Sequence, residues 1–519
     1  MREKEEMTAT ESRALPEGWA ATTLGDVLLE VIGGGTPSRK ISTYFDGDIP
    51  WFTVKDMKSL RPRNAEEHIT KDAIINSATN LIPANTLVIA TRIALGRSMR
   101  PTVDFAINQD LKALIFWSGI EPDFFLYWIC AHERSIQDLG SGTTVSGIRL
   151  ETLRSLPVLL PPATEQTRIV EKLEELLADL DAGVAELKAA QKKLVQYRQS
   201  LLKAAVEGQL TADWRAQHPP TETGAELLSR ILKERRTRWE AKQQEKFASQ
   251  GKTPPKNWQS KYPEPVTPDT QNLPKLPEDW AWASLDQLVA ESSYGTSVKC
   301  SYERNGTPTL RIPNVSQGQL VLQDMKYSTV ELNLHKDEYL SIGDVLVIRT
   351  NGSIGLVGRA AAVVSELPSP HYFASYLLRL RCVEVTCVHR WILTALTAHS
   401  GRQWLEKRAA SSAGQHNISL STLLTMPIPL PPISEQFHAL REIEEGEYSI
   451  QQQQEALKQS LKQTTAQRQN ILRAAFAGEL VPQDPNDEPA SVLLARIRAQ
   501  RAAQTPAKKP RGRKKKETA

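Results

Sequence analysis

Glycines, hydroxyl groups and two adjacent cations stand together in GGGTPSRKISTY, a run that contains Thr36, Ser38, Arg39 and Lys40. A second stretch, TRIALGR, sets Arg92 and Arg97 behind an apolar run. Guanidinium, ammonium and hydroxyl groups of this kind suit phosphate oxygens and base edges, and any one of them also fits an ordinary surface turn. The second half of the chain offers Lys299, Arg349, Asn351 and Arg359, with Gln415, His416 and Asn417 in a loop ahead of an apolar segment. Asn and Gln amides bind adenine bidentately, which favours Gln415 and Asn417 as base readers. His416 reads better as an exposed loop residue.

No catalytic set accompanies these groups. The spacing in GGGTPSRK does not match the Gly-x-x-x-x-Gly-Lys-[Ser/Thr] phosphate loop, so ATP hydrolysis is not expected. Neither Asn-Pro-Pro-Tyr nor Asp-Pro-Pro-Phe occurs, and methyl transfer would need a partner chain. Pro122-Asp123 with Glu186–Lys188 imitates a nuclease pattern, but the second element falls on a coiled-coil stripe. The four cysteines form no Cys-x-x-Cys pair and no metal-like group with His. Catalytic and metal sites are therefore expected to be absent.

The elements that hold these groups follow from a repeat. LPPATEQ at Leu160 returns as LPPISEQ at Leu430, and LLKAAVEGQL at Leu201 returns as ILRAAFAGEL at Ile471, each 270 residues on. No residue is inserted between the landmarks, which points to a continuous helix, because loops tolerate insertion and a helix in register does not. Thr164 and Ser434 are candidate N-caps, Glu165 and Glu435 suit the positive helix end, and Gly208 and Gly478 suit left-handed C-terminal caps. A four-and-three stripe runs through Ile169, Leu173, Leu176, Leu180, Leu187, Leu194, Tyr197 and Leu201. Its expected partner is the more polar second copy, with Ile443, Ile450, Leu457 and Ile471. Each rod would be roughly 60 Å long.

The remainder repeats loosely. LPEGW at Leu15 answers LPEDW at Leu276, and NTLVIAT answers GDVLVIRT, with TLVIA, KALIF and DVLVI expected as strands. The expected order is a globule (15–160), a helix (161–210), a basic helix and Pro-rich linker (211–275), a second globule (276–430), a second helix (431–480) and a C-terminal helix with basic tail (481–519). The fold class is mixed α/β (α+β), duplicated, with two long antiparallel coiled-coil helices between the globules and a pseudo-twofold.

The 519 residues carry a net charge of +4, and both globules are near neutral. The positive excess lies in SRILKERRTRWEAKQQEK and in KKPRGRKKK, where it fits either a solvated face or nonspecific phosphate attraction. No apolar run approaches the roughly 20 residues needed to cross a bilayer, and the N-terminus has no export-like core. A cytoplasmic protein is expected.

The paired LPP-x-[TS]-EQ phrases, the AA-x-x-G-[QE]-L endings and the LPE-x-W openings together resemble the specificity subunit of a type I restriction-modification enzyme, over about Leu15 to Arg498. The resemblance implies two target-recognition domains that each read half of a split double-stranded DNA sequence, and helices that space them and bind modification (methyltransferase) subunits, two in number. Restriction (motor and nuclease) subunits would join through the complex. It implies no cofactor on this chain, with S-adenosylmethionine, ATP and Mg on the partners, and no membrane. The competing reading is a coiled-coil adaptor with two protein-binding domains and no DNA role.

Overall fold

The computed structural model describes residues 15–140, 147–316, 318–384, 386–412 and 414–504. The basic tail and the phrase GTTVS at 142–146 lie outside the described residues. The chain forms two compact units, Met1–Lys188 with Lys458–Ala519, and Ala189–Leu457. Both divisions fall inside a long helix, so each unit joins one globule to portions of both helices.

In the first unit an antiparallel sheet has the order Leu28–Gly33, Leu111–Phe116, Leu87–Ala90 and Ser98–Met99. The apolar runs read from sequence form its centre, and Leu87–Ala90 is buried at every position. A smaller sheet orders His68–Ile69, Ile49–Phe52 and Ala106–Ile107, the last pair parallel. The second unit uses the same plan: Val289–Tyr294, Leu377–Cys382, Asp344–Ile348 and Ala360–Ala362 in one sheet, and a smaller sheet ending in a parallel pair, Pro308–Leu310 with Tyr372–Phe373. Even the irregularity recurs, between Leu28 and Glu30 and between Val289 and Glu291.

Each globule is closed by pairing its first strand with its last, Ala20 opposite Leu160 and Ala281 opposite Leu430. The last strands run straight into the long helices Ala163–Val206 and Ile433–Phe476, both of 44 residues. These start one residue ahead of the expected caps. Pro162 and Pro432 already accept the first helical bonds, from Gln166 and Gln436 at 2.9 Å, so Thr164 and Ser434 lie within the first turn. The Thr164 hydroxyl donates to Asp487 instead. The expected C-terminal caps hold: Gly208 has φ +72° and Gly478 has φ +76°.

Within the first unit, Leu173 and Leu177 are buried with Leu472 and Ala475, while Leu176, Leu180, Leu187 and Ile471 are half-buried. Within the second, Leu194, Leu201, Ile443 and Ile450 are buried and Leu457 half-buried. Tyr197, placed on the apolar stripe, is instead 54 % exposed. Arg198 takes the inward place and bonds Glu447 at 2.7 Å. Adjacent helix positions differ by about 100°, so the seam that pairs Leu194 with Arg198 turns Tyr197 outward, and the opposing carboxylate makes the arginine acceptable there. Polar pairs also join the two long helices, Asp181 with Arg468 at 2.6 Å in the first unit and Arg198 with Glu447 in the second.

Residues 211–275 contain the expected helix and the Pro-rich run. Helix Gly224–Ser249 buries Leu227 and Ile231 in the core of the second unit, and Trp239 stacks on Trp258 at 5.8 Å, which folds the Pro-rich run back onto the helix. The apolar side chains in a helix that reads as uniformly charged are few but spaced four apart, enough to dock one face. Helix Ala490–Gln504 similarly buries Leu493, Leu494 and Ile497 in the first unit. Among the described residues, no helix is long and apolar enough to cross a membrane.

Candidate nucleic-acid interface

The loop after strand Leu87–Ala90 is built by backbone bonds before any side chain enters. Ala90 N–H donates to Arg97 O at 2.8 Å, Gly96 N–H to Ala90 O at 3.2 Å, and Ile148 N–H to Thr91 O at 3.0 Å. This tight closure lifts Arg92 and Arg97 to the surface, where their side chains are 51 % and 54 % exposed. Their nearest carboxylates, Asp110 at 3.7 Å and Glu133 at 4.0 Å, are beyond hydrogen-bond length. The Thr36 hydroxyl donates to Gln109 Oε1 at 2.5 Å, one residue ahead of Asp110 in the chain.

The glycines of GGGTPSRK serve packing, not an anion cradle. A Cβ on Gly34 would lie 2.0 Å from Asn108 O, and Gly35 N–H is already committed to Ile107 O at 3.0 Å. Arg39 is also committed, gripping Glu67 with two 2.6 Å bonds and lying 4.4 Å from the Phe45 ring. Ser38 accepts the Ile41 N–H through its backbone carbonyl, and Lys40 is exposed. Thr36 and Arg92 thus meet consecutive residues, Gln109 and Asp110, whereas Arg39 pairs with Glu67.

In the second unit, Thr350–Asn351 pairs with Gln415–Asn417, which pairs with Ala410–Ser412. This small sheet gathers four candidates. Arg349 lies 4.8 Å from the ring centre of Tyr294 and its Nε donates to Asn417 Oδ1 at 3.3 Å. Asn351 Oδ1 accepts the Ser353 N–H at 2.9 Å, and Gln415 is exposed beside Gly352. His416 is half-buried on the middle strand. Arg359 bonds Gly355 O at 2.8 Å, and Lys299 is exposed on another loop, its carbonyl accepting from Thr329. These two stand outside the cluster.

Sequence reasoning passed over Gln109 and Tyr294. A visible signal existed for the first: Asn108-Gln109-Asp110 is a polar trio between two apolar strands. Nothing local marked Tyr294, which gains meaning only when Arg349 stacks on it. The basic helix also changes meaning. Arg230 bonds Glu222 and Glu384, Arg238 bonds Glu234, and Lys242 reaches Glu291 and Asp337, so much of its charge is spent within the unit.

Burial pushes the Cys130 and Cys382 thiols up, and that of Cys387 to about 12. Among the described residues, no His, Cys, Asp and Glu cluster could hold a metal ion.

Residues 16–189 match a family model described as the type I restriction modification DNA specificity domain. The type I restriction enzyme StySPI specificity subunit of Salmonella potsdam is 22 % identical over 504 residues, covering 94 % of this chain and 96 % of that one. The EcoKI specificity subunit of Escherichia coli K12 is 22 % identical over 512 residues, covering 94 % and 97 %. A solved chain, from work on complex assembly and conformational transition of the type I R-M system, superimposes with a TM-score of 0.61 at 17 % identity, covering 90 % of this chain and all of that one. At that identity the likeness concerns the fold.

Proposed function

We infer that this chain, whose residues 16–189 match the type I restriction modification DNA specificity model and whose length aligns with specificity subunits nearly end to end, is the DNA sequence-specificity subunit of a type I restriction-modification complex. It has no catalytic chemistry of its own. One observation supports the reading above the others: two units with the same strand order carry different side chains on the same strand-end loop, Arg92 to Arg97 in one and Arg349 to Arg359 in the other. A common frame with divergent polar loops is what reading two different half-sites requires.

The target is accordingly bipartite and nonpalindromic. Arg92, Arg97, Thr36 and Gln109 read one half, and Arg349, Asn351, Gln415 and Asn417 the other, with Lys40 and Lys299 suited to phosphates. The globules are duplicates related by a pseudo-twofold, and the 44-residue helices pair as an antiparallel coiled coil that keeps the spacer between half-sites constant. Modification subunits, two per chain, bind S-adenosylmethionine and perform the transfer, and restriction subunits bring ATP and Mg. The complex works in the cytoplasm.

Methylome sequencing of cells with and without this chain tests the proposal. The expected result is a set of modified adenines that disappears with the chain and defines two unlike half-sites at fixed separation. An unchanged methylome in cells that make the modification subunits, with the chain bound only to other proteins, would favour the adaptor reading.

A further inference from the structure

We propose that Ile93 is a wedge that enters the base stack of duplex DNA within the half-site met by the first unit. The proposal rests on the reading of this chain as a DNA-specificity subunit and adds a mode of recognition to it.

Ile93 has φ +68°. A β-branched side chain is strongly disfavoured in this left-handed region, where Gly, Asn or Asp would sit at little cost. The loop enforces it. Ala94 N–H donates to Arg92 O at 2.9 Å and Arg97 N–H to Ala94 O at 3.2 Å, while Leu95, 3 % exposed, anchors the turn in the core. The closing residue, Gly96, has φ +76° and a Cβ there would lie 3.0 Å from Glu133 O. The chain therefore holds an unfavourable backbone at Ile93, and gains no burial in return, because Ile93 is 64 % exposed. Strain retained at an exposed tip points to a task outside the fold.

The surroundings specify the task. Arg92 and Arg97 flank the tip, half-exposed and without a carboxylate at hydrogen-bond length. An apolar point between two cations matches a duplex, with phosphates on either side and stacked bases between. Apolar side chains are known to part base steps in this way and kink the helix. Exposure alone would not carry the argument: Ile75 is more exposed, at 76 %, but it ends the short helix Lys71–Ile75 with no positive φ. The second unit lacks the device. Its loop between Ile348 and Arg359 is four residues longer than that between Ala90 and Arg97, and it begins with Arg349, Thr350 and Asn351.

Wedging is easiest at pyrimidine–purine steps, so the half-site should contain one under the loop. The test uses the full chain with its modification subunits and duplexes carrying 2-aminopurine at each position of that half-site in turn. Unstacking brightens the probe. Wild type and Ile93→Leu are expected to brighten one step, and Ile93→Asn, whose side chain suits positive φ and so keeps the loop, is expected to lose the signal and much of the methylation. A mismatch at that step should restore methylation by Ile93→Asn, which a purely structural role for Ile93 would not produce. Site methylation by wild type with no brightening at any position, or brightening that survives in Ile93→Asn, overturns the wedge while leaving the specificity reading intact. Failure of the wild-type complex to methylate any duplex overturns both.

Discussion

The indole nitrogen of Trp280 lies 2.8 Å from Glu435 Oε2 and donates to it. Three repeated phrases meet at this contact. Trp280 ends LPEDW, Glu435 lies in LPPISEQ, and Gly208 of AAVEGQL lies so close that a Cβ would sit 2.5 Å from Pro277. The first unit builds the same junction from Trp19, Glu165, Pro16 and Gly478, with the indole 3.0 Å from the carboxylate and the hypothetical Cβ again 2.5 Å from the proline. The phrases recur as a set because each junction needs one of each.

Glu435 also accepts from Thr211 at 2.5 Å and Arg215 at 2.7 Å, and is 1 % exposed. Glu435→Ala would strand a guanidinium, a hydroxyl and an indole N–H. A loss of roughly 3 kcal/mol is expected, read as a lower urea midpoint for the second unit. Trp280→Phe removes only one donor and should cost less.

Gly208→Ala and Gly478→Ala combine a left-handed backbone with a clash against proline, and each should destabilise by about 2 kcal/mol or more. Gly183→Ala should do the reverse. Gly183 lies inside a helix with nothing within 4 Å of a new Cβ, so alanine is expected to add about 0.5–1 kcal/mol. Thermal melts of the three variants check the opposite signs.

The first junction should respond to pH in two directions. Burial holds the Glu165 carboxyl above its usual value of 4.5, against the bonds from Trp19 and Gln483. A raised carboxyl binds its proton more tightly when folded, so its contribution is present at low pH and lost as pH climbs from 4.5 through the raised value. The bond from Arg168, aided by Thr164, holds Asp487 below 3.8, so that contribution is present above 3.8 and lost as pH falls through the lowered value. Hydrogen exchange around Trp19 against pH should show both limbs, with Glu165→Gln flattening the upper one and Asp487→Asn the lower.

Arg349→Ala should relax base preference in one half-site only, and Arg92→Ala in the other. Each guanidinium that reads a base bidentately contributes about 1–3 kcal/mol of discrimination. Methylation across libraries randomised in one half at a time measures it. Relaxation of both halves by either variant would contradict independent reading.

Much of the frame was legible because it is local or periodic. Strands Leu87–Ala90 and Asp344–Ile348 announce themselves as continuous apolar runs, and the two helices as uninterrupted spans of equal length. The candidate interface was legible only as residue types. Arg39 and Arg92 look equally free in the sequence, yet one is locked to Glu67 and the other is loosely held beside Asp110, because partners 28 and 18 positions away are set by sheet pairing.

By itself, the sequence determined the C-terminal ends of the long helices, since Gly208 and Gly478 stop each rod by backbone conformation alone, and it determined that the two rods have equal length. Only the tertiary structure decided that Pro16 packs on Gly478 and Pro277 on Gly208, so that each unit's opening phrase meets the end of the other helix. It also decided that Arg198, not Tyr197, faces Glu447. Hydrophobic periodicity fixes which residues want burial, but the partner of a buried face depends on chain closure over hundreds of residues, and no local pattern encodes that pairing.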